Sequence, residues 1–100
     1  MGKKQNRNEF RKKNSKEGRG HPTYIYAREG DEYHYIGLTH AEITKGVKNI
    51  PLEVNPNPKD TRKAFFRPRS EKGNWASFGK KLQGWSFSER DKVTIRKYKK

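Results

Sequence analysis

The sequence has 100 residues, which is enough for one small domain with a limited core. Its 28% hydrophobic and 36% charged residues and its mean hydropathy of -1.40 approach the composition of disordered chains, whereas the 12% of aromatic residues indicate that part of the chain folds. The absence of cysteine excludes a disulfide framework and a thiolate zinc site, and the net charge of +14 suits a polyanionic partner.

The first residues, MGKKQNRNEF, are basic but lack the apolar core of a signal peptide, and no run of the sequence approaches the length of a membrane span. We therefore expect a cytoplasmic protein with no membrane partner. Positive charge is concentrated in residues 1–20 and 61–100, while residues 21–60 are slightly acidic. This uneven distribution favours nucleic acid, either DNA or RNA, as the partner. Charge that only keeps a small core soluble is the alternative.

Residues 1–20 contain a single Phe among basic, Asn, Gly and Ser residues, which predicts a disordered basic arm. Residues 21–98 form the predicted domain. Its clearest feature is a β-hairpin over residues 23–39, in which two runs rich in Tyr and Ile flank a polar break at 29–32. Strict alternation puts Ile25 and Ala27, and likewise Ile36 and Leu38, on apolar faces. The opposite face then carries four tyrosines that stack on unpaired bases or cover a second core layer, namely Tyr24, Tyr26, Tyr33 and Tyr35, beside Arg28.

The remainder of the domain is predicted from shorter signals. A capping box at Thr39–Glu42 predicts a short helix that ends at Gly46, and Pro51 places residues 47–54 in an edge strand or an extended loop. Residues 63–69 are predicted as a strand, again at an edge because of Pro68. Asn74 is expected to cap a short helix. The sequence Ser88-Glu89-Arg90-Asp91 starts a second helix through Lys99, although Val93-Thr94-Ile95 also alternates like a strand.

Together these signals predict an α+β domain, with a small antiparallel sheet packed on one or two short helices. The stretch that is both basic and aromatic is the expected binding surface, because the planar guanidinium suits phosphate and base edges. It comprises Arg62, Lys63, Phe65, Phe66, Arg67 and Arg69, with Lys72, Lys80 and Lys81 beyond it. An edge strand protected from aggregation by its charges is the alternative explanation for the same stretch.

Three histidines, His21, His34 and His40, are candidate catalytic residues for a metal-independent ribonuclease, which needs a base with a pKa near neutrality and a nearby cation. A structural or half-exposed histidine is the alternative at each position. The sequence contains neither a metal-ligand spacing nor a Walker or G-x-G-x-x-G motif, so we expect no metal and no cofactor.

At HPTYIY, IGLTH, GVKNIPLEVNPNPKD and FGKKLQGWSFS the chain resembles small basic proteins of unassigned function that occur with bacterial mobile elements, over roughly residues 20–95. At fold level it is similar to the barnase and RelE-like endoribonuclease toxins. That likeness implies RNA as substrate and catalysis by His, Arg, Lys and Tyr on an antiparallel sheet. No catalytic residue is carried over, because no motif of those enzymes is found and the basic arm stands where they have a helix.

The leading hypothesis is a nucleic-acid-binding module that contacts phosphates through Lys and Arg and unpaired bases through aromatic rings. The first alternative is a toxin-like endoribonuclease. The second is a protein-interaction module that presents its hairpin edge, or a surface with Trp75 and Trp85, to an acidic protein partner.

Overall fold

The computed structural model describes residues 3–14 and 20–99, which form a small α+β protein made mostly of antiparallel sheet with one α-helix. The elements in chain order are β1 (Gln5–Lys13), β2 (His21–Glu29), β3 (Glu32–Thr39), β4 (Ile43–Thr44), β5 (Val47–Lys48), β6 (Ile50–Pro51), β7 (Phe65–Phe66), β8 (Glu71–Asn74), a 3₁₀ helix (Trp75–Ser77), β9 (Phe78–Lys81) and α1 (Glu89–Arg96). No helix in the described ranges has the length and apolarity needed to cross a membrane.

A three-stranded antiparallel meander, β1-β2-β3, forms the centre of the sheet. The predicted hairpin is confirmed: β2 and β3 pair around a turn in which Gly30 has a φ of 61°, a conformation that glycine adopts without strain. Tyr24 lies opposite Ile36 and Ile25 opposite Tyr35, so each face of the hairpin mixes tyrosine with aliphatic side chains.

The prediction of a disordered arm is wrong for residues 5–13, which lie in the part of the arm that the structure describes. Residues 5–13 form β1, which pairs with β2 on one side and β9 on the other. Phe10 lies opposite Tyr24, is 3% exposed and contacts the ring of Phe87 with centroids 5.0 Å apart. One aromatic residue therefore anchors a strand of otherwise polar composition, because its neighbours supply the apolar surface. The domain begins within the predicted arm, whose residues 1–2 and 15–19 lie outside the described part.

The four tyrosines do not share a face, which corrects the prediction from strict alternation. The pairing register is the reason: Tyr24 lies opposite Ile36 and Ile25 lies opposite Tyr35, so the tyrosines of β2 and those of β3 face opposite sides. A β-bulge between Ile25 and Ala27 brings Ala27 onto the face of Tyr24 and Tyr26 as well. Tyr33 and Tyr35 pack with Ile25 in a second cluster on the opposite face. All four tyrosines are buried, so none of their rings is an exposed platform for a base.

The two faces of the meander carry separate cores. We call the face with Tyr33, Tyr35 and Ile25 the inner face. At one edge of the meander β8 pairs with β3, and at the other edge β9 pairs with β1. The three-residue 3₁₀ helix alone connects β8 to β9. This short connection draws the two edges of the sheet together over that face. Phe78 lies between them, with its ring centroid 5.1 Å from that of Tyr33 and 5.2 Å from that of Tyr35.

The opposite, outer face carries the larger core and is covered by α1 and by the chain between β6 and β7. Its buried members are Phe10, Tyr24, Tyr26, Ala27, Ile36, Leu38, Leu52, Ala64, Phe66, Phe87 and Ile95. Ser88 caps α1 as predicted, since its Oγ accepts a hydrogen bond from the Asp91 amide at 3.2 Å. The helical alternative for residues 88–99 is thereby confirmed over residues 89–96, and the strand alternative is wrong.

Two predicted helices differ from the structure because contacts with other segments determine the local conformation. The helix expected after Thr39 is replaced by the β4–β5 hairpin, whose turn residues Lys45 and Gly46 have φ values of 50° and 79°. Asn74 caps a helix as expected, but this 3₁₀ helix has three residues because Phe78 is drawn into the inner core.

The region around the two prolines is partly as predicted. β6, which contains Pro51, is an edge strand as expected. The strand expected over residues 63–69 is limited to β7, and it is internal because it lies between β6 and β3.

Candidate nucleic-acid interface

A basic groove with a volume of about 520 Å³ opens on the inner face, at the end of the sheet away from the β2–β3 turn. Its floor comes from β2 and β3, and one wall comes from residues 67–71, which link β7 to β8 along the edge of β3. The β4–β5 hairpin forms the other wall, and the end of β1 forms the rim. The lining residues are Lys13, Asn14, His21, Thr23, Tyr35, Gly37, Leu38, Thr39, Thr44, Lys45, Arg67, Arg69 and Glu71.

Strand register places the residues of the floor and the rim. Lys13 lies opposite His21, and Thr23 lies opposite Gly37, so these four residues project from neighbouring positions of the inner face. Gly37 is needed for space: a Cβ there would lie 3.2 Å from the Cγ of Arg67, tighter than ordinary van der Waals contact. The Arg67 side chain therefore lies across the bare backbone of β3.

Arg67 is held in this position by its main chain, since its amide donates a hydrogen bond to the Gly37 carbonyl at 2.8 Å. The Nε atom of Arg67 is buried and has no hydrogen-bond partner among the described residues. A buried guanidinium N–H without an acceptor is costly, so this atom marks a local cost of placing Arg67 here. Arg69, two residues further on, is mostly exposed and lies 3.6 Å from the Glu71 carboxylate.

The groove is strongly positive, because among the described residues Lys13, Lys45, Arg67 and Arg69 line it against one carboxylate, that of Glu71. A concave surface bounded by protein concentrates the field of such charges and attracts anions. Burial, and secondarily the Glu71 carboxylate, raise the pKa of Tyr35 above its ordinary value, while Arg69 opposes the shift. Tyr35, whose ordinary pKa of 10.0 already keeps it neutral at physiological pH, lines the groove in its neutral form.

The three histidines lie in different surroundings, and His21 alone among them lines the groove. His34 is buried, with its Nε2 at 3.2 Å from the Glu29 Oε1. His40 is exposed, with its Nε2 at 3.1 Å from the Asp60 Oδ2. The structure therefore does not bring the three candidates together in one site.

Asp60 also binds Arg62, whose Nε and Nη2 donate to its carboxylate at 3.0 and 2.8 Å. These hydrogen bonds hold the pKa of Asp60 well below its usual range. Arg62 is thus engaged in a local ion pair and does not line the groove.

Of the predicted binding residues, the groove brings together Tyr35, Arg67 and Arg69. The aromatic members Phe65 and Phe66 are buried, and the basic members Lys63, Lys72, Lys80 and Lys81 are exposed elsewhere. Lys72 lines a second, smaller cavity beside His34, together with Lys4, Tyr26, Glu29, Ser70 and Glu71.

Arg28 and the two tryptophans also lie outside the groove. Arg28 stacks over the rings of Tyr33 and Trp75 near the β2–β3 turn. Trp75 is 48% exposed, whereas Trp85 packs partly buried against the outer core, so the two do not form one exposed aromatic surface.

Sequence reasoning missed Lys13, Thr23, Thr44, Lys45 and the role of Gly37. One signal was present: a glycine inside a strand pattern often marks close approach of another chain segment, which here is Arg67. No signal linked Lys13 or Lys45 to the arginines, because strand pairing brings them together. Within the described residues, no cluster of three or more His, Cys, Asp or Glu side chains is arranged to hold a metal ion.

Comparison of the chain with models of protein families, with curated proteins and with solved structures gave no match.

Proposed function

We propose that this protein binds nucleic acid by its phosphate backbone, in the basic groove. The observation that carries the proposal is the convergence of Lys13, Lys45, Arg67 and Arg69 on one groove of the inner face. Phosphate is the anion that nucleic acids present at regular spacing, and guanidinium and ammonium groups are its usual ligands. The net charge of +14 adds a long-range attraction to the same partner.

The groove has the parts that phosphate recognition requires. Arg67 lines the groove and carries a planar guanidinium group, which suits the geometry of phosphate. Tyr35 also lines the groove and carries a hydroxyl that can donate a hydrogen bond, and Gly37 leaves the space that the Arg67 side chain occupies. Lys13 and Lys45 add charge from the rim and the opposite wall.

The proposed binding mode is backbone contact and not stacking on aromatic rings. The tyrosines and phenylalanines expected to stack on bases are buried in the two cores. Trp75 is exposed, but it lies by the β2–β3 turn, at the other end of an eight-residue strand from Thr39 at the groove. A strand of that length separates Trp75 from the far end of the groove by roughly 25 Å, and roughly 13 Å separates it from Glu71 at the near end.

The test compares two double variants with equal loss of charge. In Arg67→Gln/Arg69→Gln the groove loses both guanidinium groups, whereas Arg90→Gln/Arg96→Gln removes two exposed arginines from α1. Affinity for labelled duplex DNA and single-stranded RNA is measured over a salt series. We expect the groove variant to bind about tenfold more weakly and its log–log salt slope to fall by about two, since two cations no longer neutralise phosphates.

The helix variant controls for the overall reduction of charge and is expected to stay close to the wild type. Equal losses of affinity in the two variants would mean that diffuse charge, and not the groove, attracts the ligand. Absence of salt-dependent binding by the wild type would refute the proposal altogether.

Metal-independent cleavage of RNA is a second candidate, favoured by the position of His21 in the same groove as Arg67, Arg69 and Tyr35. In that reaction His21 takes the proton of a ribose 2′-hydroxyl, and the 2′-oxygen attacks the adjacent phosphorus. The bond to the 5′-oxygen breaks, and the leaving oxygen takes a proton from an acid such as the Tyr35 hydroxyl. The arginines stabilise the charge on the phosphorus oxygens.

This candidate predicts that RNA is cut in EDTA, that an RNA with 2′-deoxyribose at the cleavage position is not cut, and that His21→Ala abolishes cleavage while His40→Ala does not. Cleavage that survives in purified His21→Ala protein would remove His21 from the mechanism.

A further inference from the structure

The β4–β5 hairpin, residues 41–49, is a small two-stranded ribbon beside the groove. Its strands pair with each other and with no other described strand. Thr44 and Lys45 form one wall of the groove, so the ribbon stands where a bound backbone would pass.

The ribbon is preorganised. Asn49 is 2% exposed, and its Nδ2 donates to the Ala41 carbonyl at 3.0 Å and to the Thr44 hydroxyl at 2.8 Å. The Asn49 amide also donates to the Glu42 carbonyl at 2.8 Å. The turn at Lys45 and Gly46 has positive φ at both positions, which matches the natural twist of a two-residue hairpin. A ligand therefore meets a ribbon that is already ordered.

The ribbon exposes apolar side chains next to lysines. Ile43 is 59% and Val47 is 43% exposed, and Lys45 and Lys48 are exposed with them. Ile43 lies opposite Lys48, and Thr44 lies opposite Val47, so each side of the ribbon carries one aliphatic and one polar side chain. Both sides thus offer contacts that a phosphate backbone alone does not need.

We propose that the ribbon enters the major groove of duplex DNA with its edge toward the bases, so that Ile43 on one side and Val47 on the other each contact a thymine methyl group, while the basic groove holds the adjacent backbone. The inference rests on the proposed function and assigns its substrate class. The major groove of B-DNA is wide enough for a two-stranded ribbon and displays the thymine methyl, an apolar group that aliphatic side chains can contact. Lys45 and Lys48 then lie near the phosphates that border the groove.

Duplex DNA fits these features better than the other nucleic acids. Single strands are held chiefly by stacking on exposed rings, and the ribbon exposes aliphatic side chains in their place. Double-stranded RNA has a deep, narrow major groove that side chains cannot read, and its uracil lacks the methyl group.

The experiment removes only the methyl groups. Two duplexes of identical sequence, one with thymine and one with deoxyuridine, are titrated with the wild-type protein, with Ile43→Ser/Val47→Ser, and with Val54→Ser/Val93→Ser. The last variant removes two exposed valines outside the ribbon and is the matched control. For the wild type and the control, we expect the deoxyuridine duplex to bind about fourfold more weakly for each methyl group that the ribbon would otherwise touch. The ribbon variant is expected to bind both duplexes equally, at the weaker level.

Each result is informative. Equal binding of the two duplexes by the wild type, or a ribbon variant that still distinguishes them, overturns the proposal. The proposal is also overturned if the ribbon variant loses as much affinity, relative to the wild type, for a single strand without thymine as it loses for the thymine duplex. In all these cases the groove arginines can still govern binding, whereas failure of the proposed function would appear as no binding to any nucleic acid at low salt.

Discussion

The two faces of the central meander are built from the same three strands but differ in how far other elements cover them. The outer face carries the larger core, in which side chains of α1 and of the chain before it join Phe10, Tyr24 and Ile36. The inner face is closed by Phe78 near Tyr33 and Tyr35 but opens beyond them, where Gly37 leaves the strand backbone bare. The larger of the two cores therefore lies on the outer face, and part of the inner face stays open as the basic groove.

Asp91 makes the hydrogen bonds that join α1 to the segment after β6 on the outer face. Its carboxylate is 2% exposed and accepts hydrogen bonds from the amides of Glu53, at 2.9 and 3.0 Å, and of Val54, at 3.2 Å. The Asp91 side chain, in the first turn of α1, thus joins the helix to a distant segment. The outer face is thereby closed by a contact between elements that are far apart in sequence.

The largest expected effect follows from breaking this contact. Asp91→Ala leaves two backbone amides without their acceptor and should lower the free energy of unfolding by about 2 kcal/mol or more. Urea denaturation measures the change. Lys92→Ala, which removes only the exposed partner of Glu89 on the same helix, should change stability by less than about 0.5 kcal/mol. If the two variants are equally stable, Asp91 does not hold the helix in place.

A smaller effect is expected on the inner face, from Gly37→Ala. The added methyl group lies 3.2 Å from the Arg67 Cγ and must displace that side chain, so nucleic-acid affinity should fall about threefold while stability changes by less than about 1 kcal/mol. Binding and denaturation are measured on the same preparations. Gly79→Ala is the control, because its Cβ would make an ordinary contact of 3.6 Å with the Lys12 carbonyl. A drop in affinity matched by a drop in stability would point to misfolding and not to the groove.

The smallest effect concerns the pH dependence of stability. Because burial raises the pKa of Tyr35 in the folded state, its neutral form stabilises the fold fully below the unfolded pKa. That contribution is lost as the pH rises beyond about 10, where the unfolded phenol ionises first. Tyr35→Phe removes the titrating group, so its unfolding free energy should fall less than that of the wild type between about pH 8 and about pH 11. Identical slopes would show that Tyr35 does not titrate differently on folding.

Local signals in the sequence predicted the elements whose residues are close together in the chain. The β2–β3 hairpin follows from two runs of strand-forming residues around Gly30, and the start of α1 follows from Ser88. The Pro51 edge strand is confirmed for the same reason, since a residue without an amide hydrogen is best placed at the edge of a sheet.

Elements that depend on distant partners were missed. β1 has a polar, basic sequence, and it is a strand because β2 and β9 pair with both of its edges. The register that pairs Tyr24 with Ile36 is not marked in the sequence, so alternation wrongly placed the four tyrosines on one face. The bulge at Tyr26 is not marked by glycine or proline either, so alternation wrongly placed Ala27 with Ile25. The capping box at Thr39 predicted a short helix, but the segment forms the β4–β5 hairpin, because Lys45 and Gly46 adopt the positive φ values of a tight turn.

The sequence by itself determined the sign of the charge, the β2–β3 hairpin and the terminal helix, and it singled out Arg67 and Arg69 as candidate binding residues. Only the tertiary structure decided which basic residues act together. Lys13 pairs with His21 across two strands, and Arg67 reaches Gly37 from a segment 30 residues further along the chain, so the groove exists only when these strands are paired. Residues distant in sequence are brought together by backbone hydrogen bonds and by burial of aromatic rings, and neither requires the groove residues to form a recognisable motif.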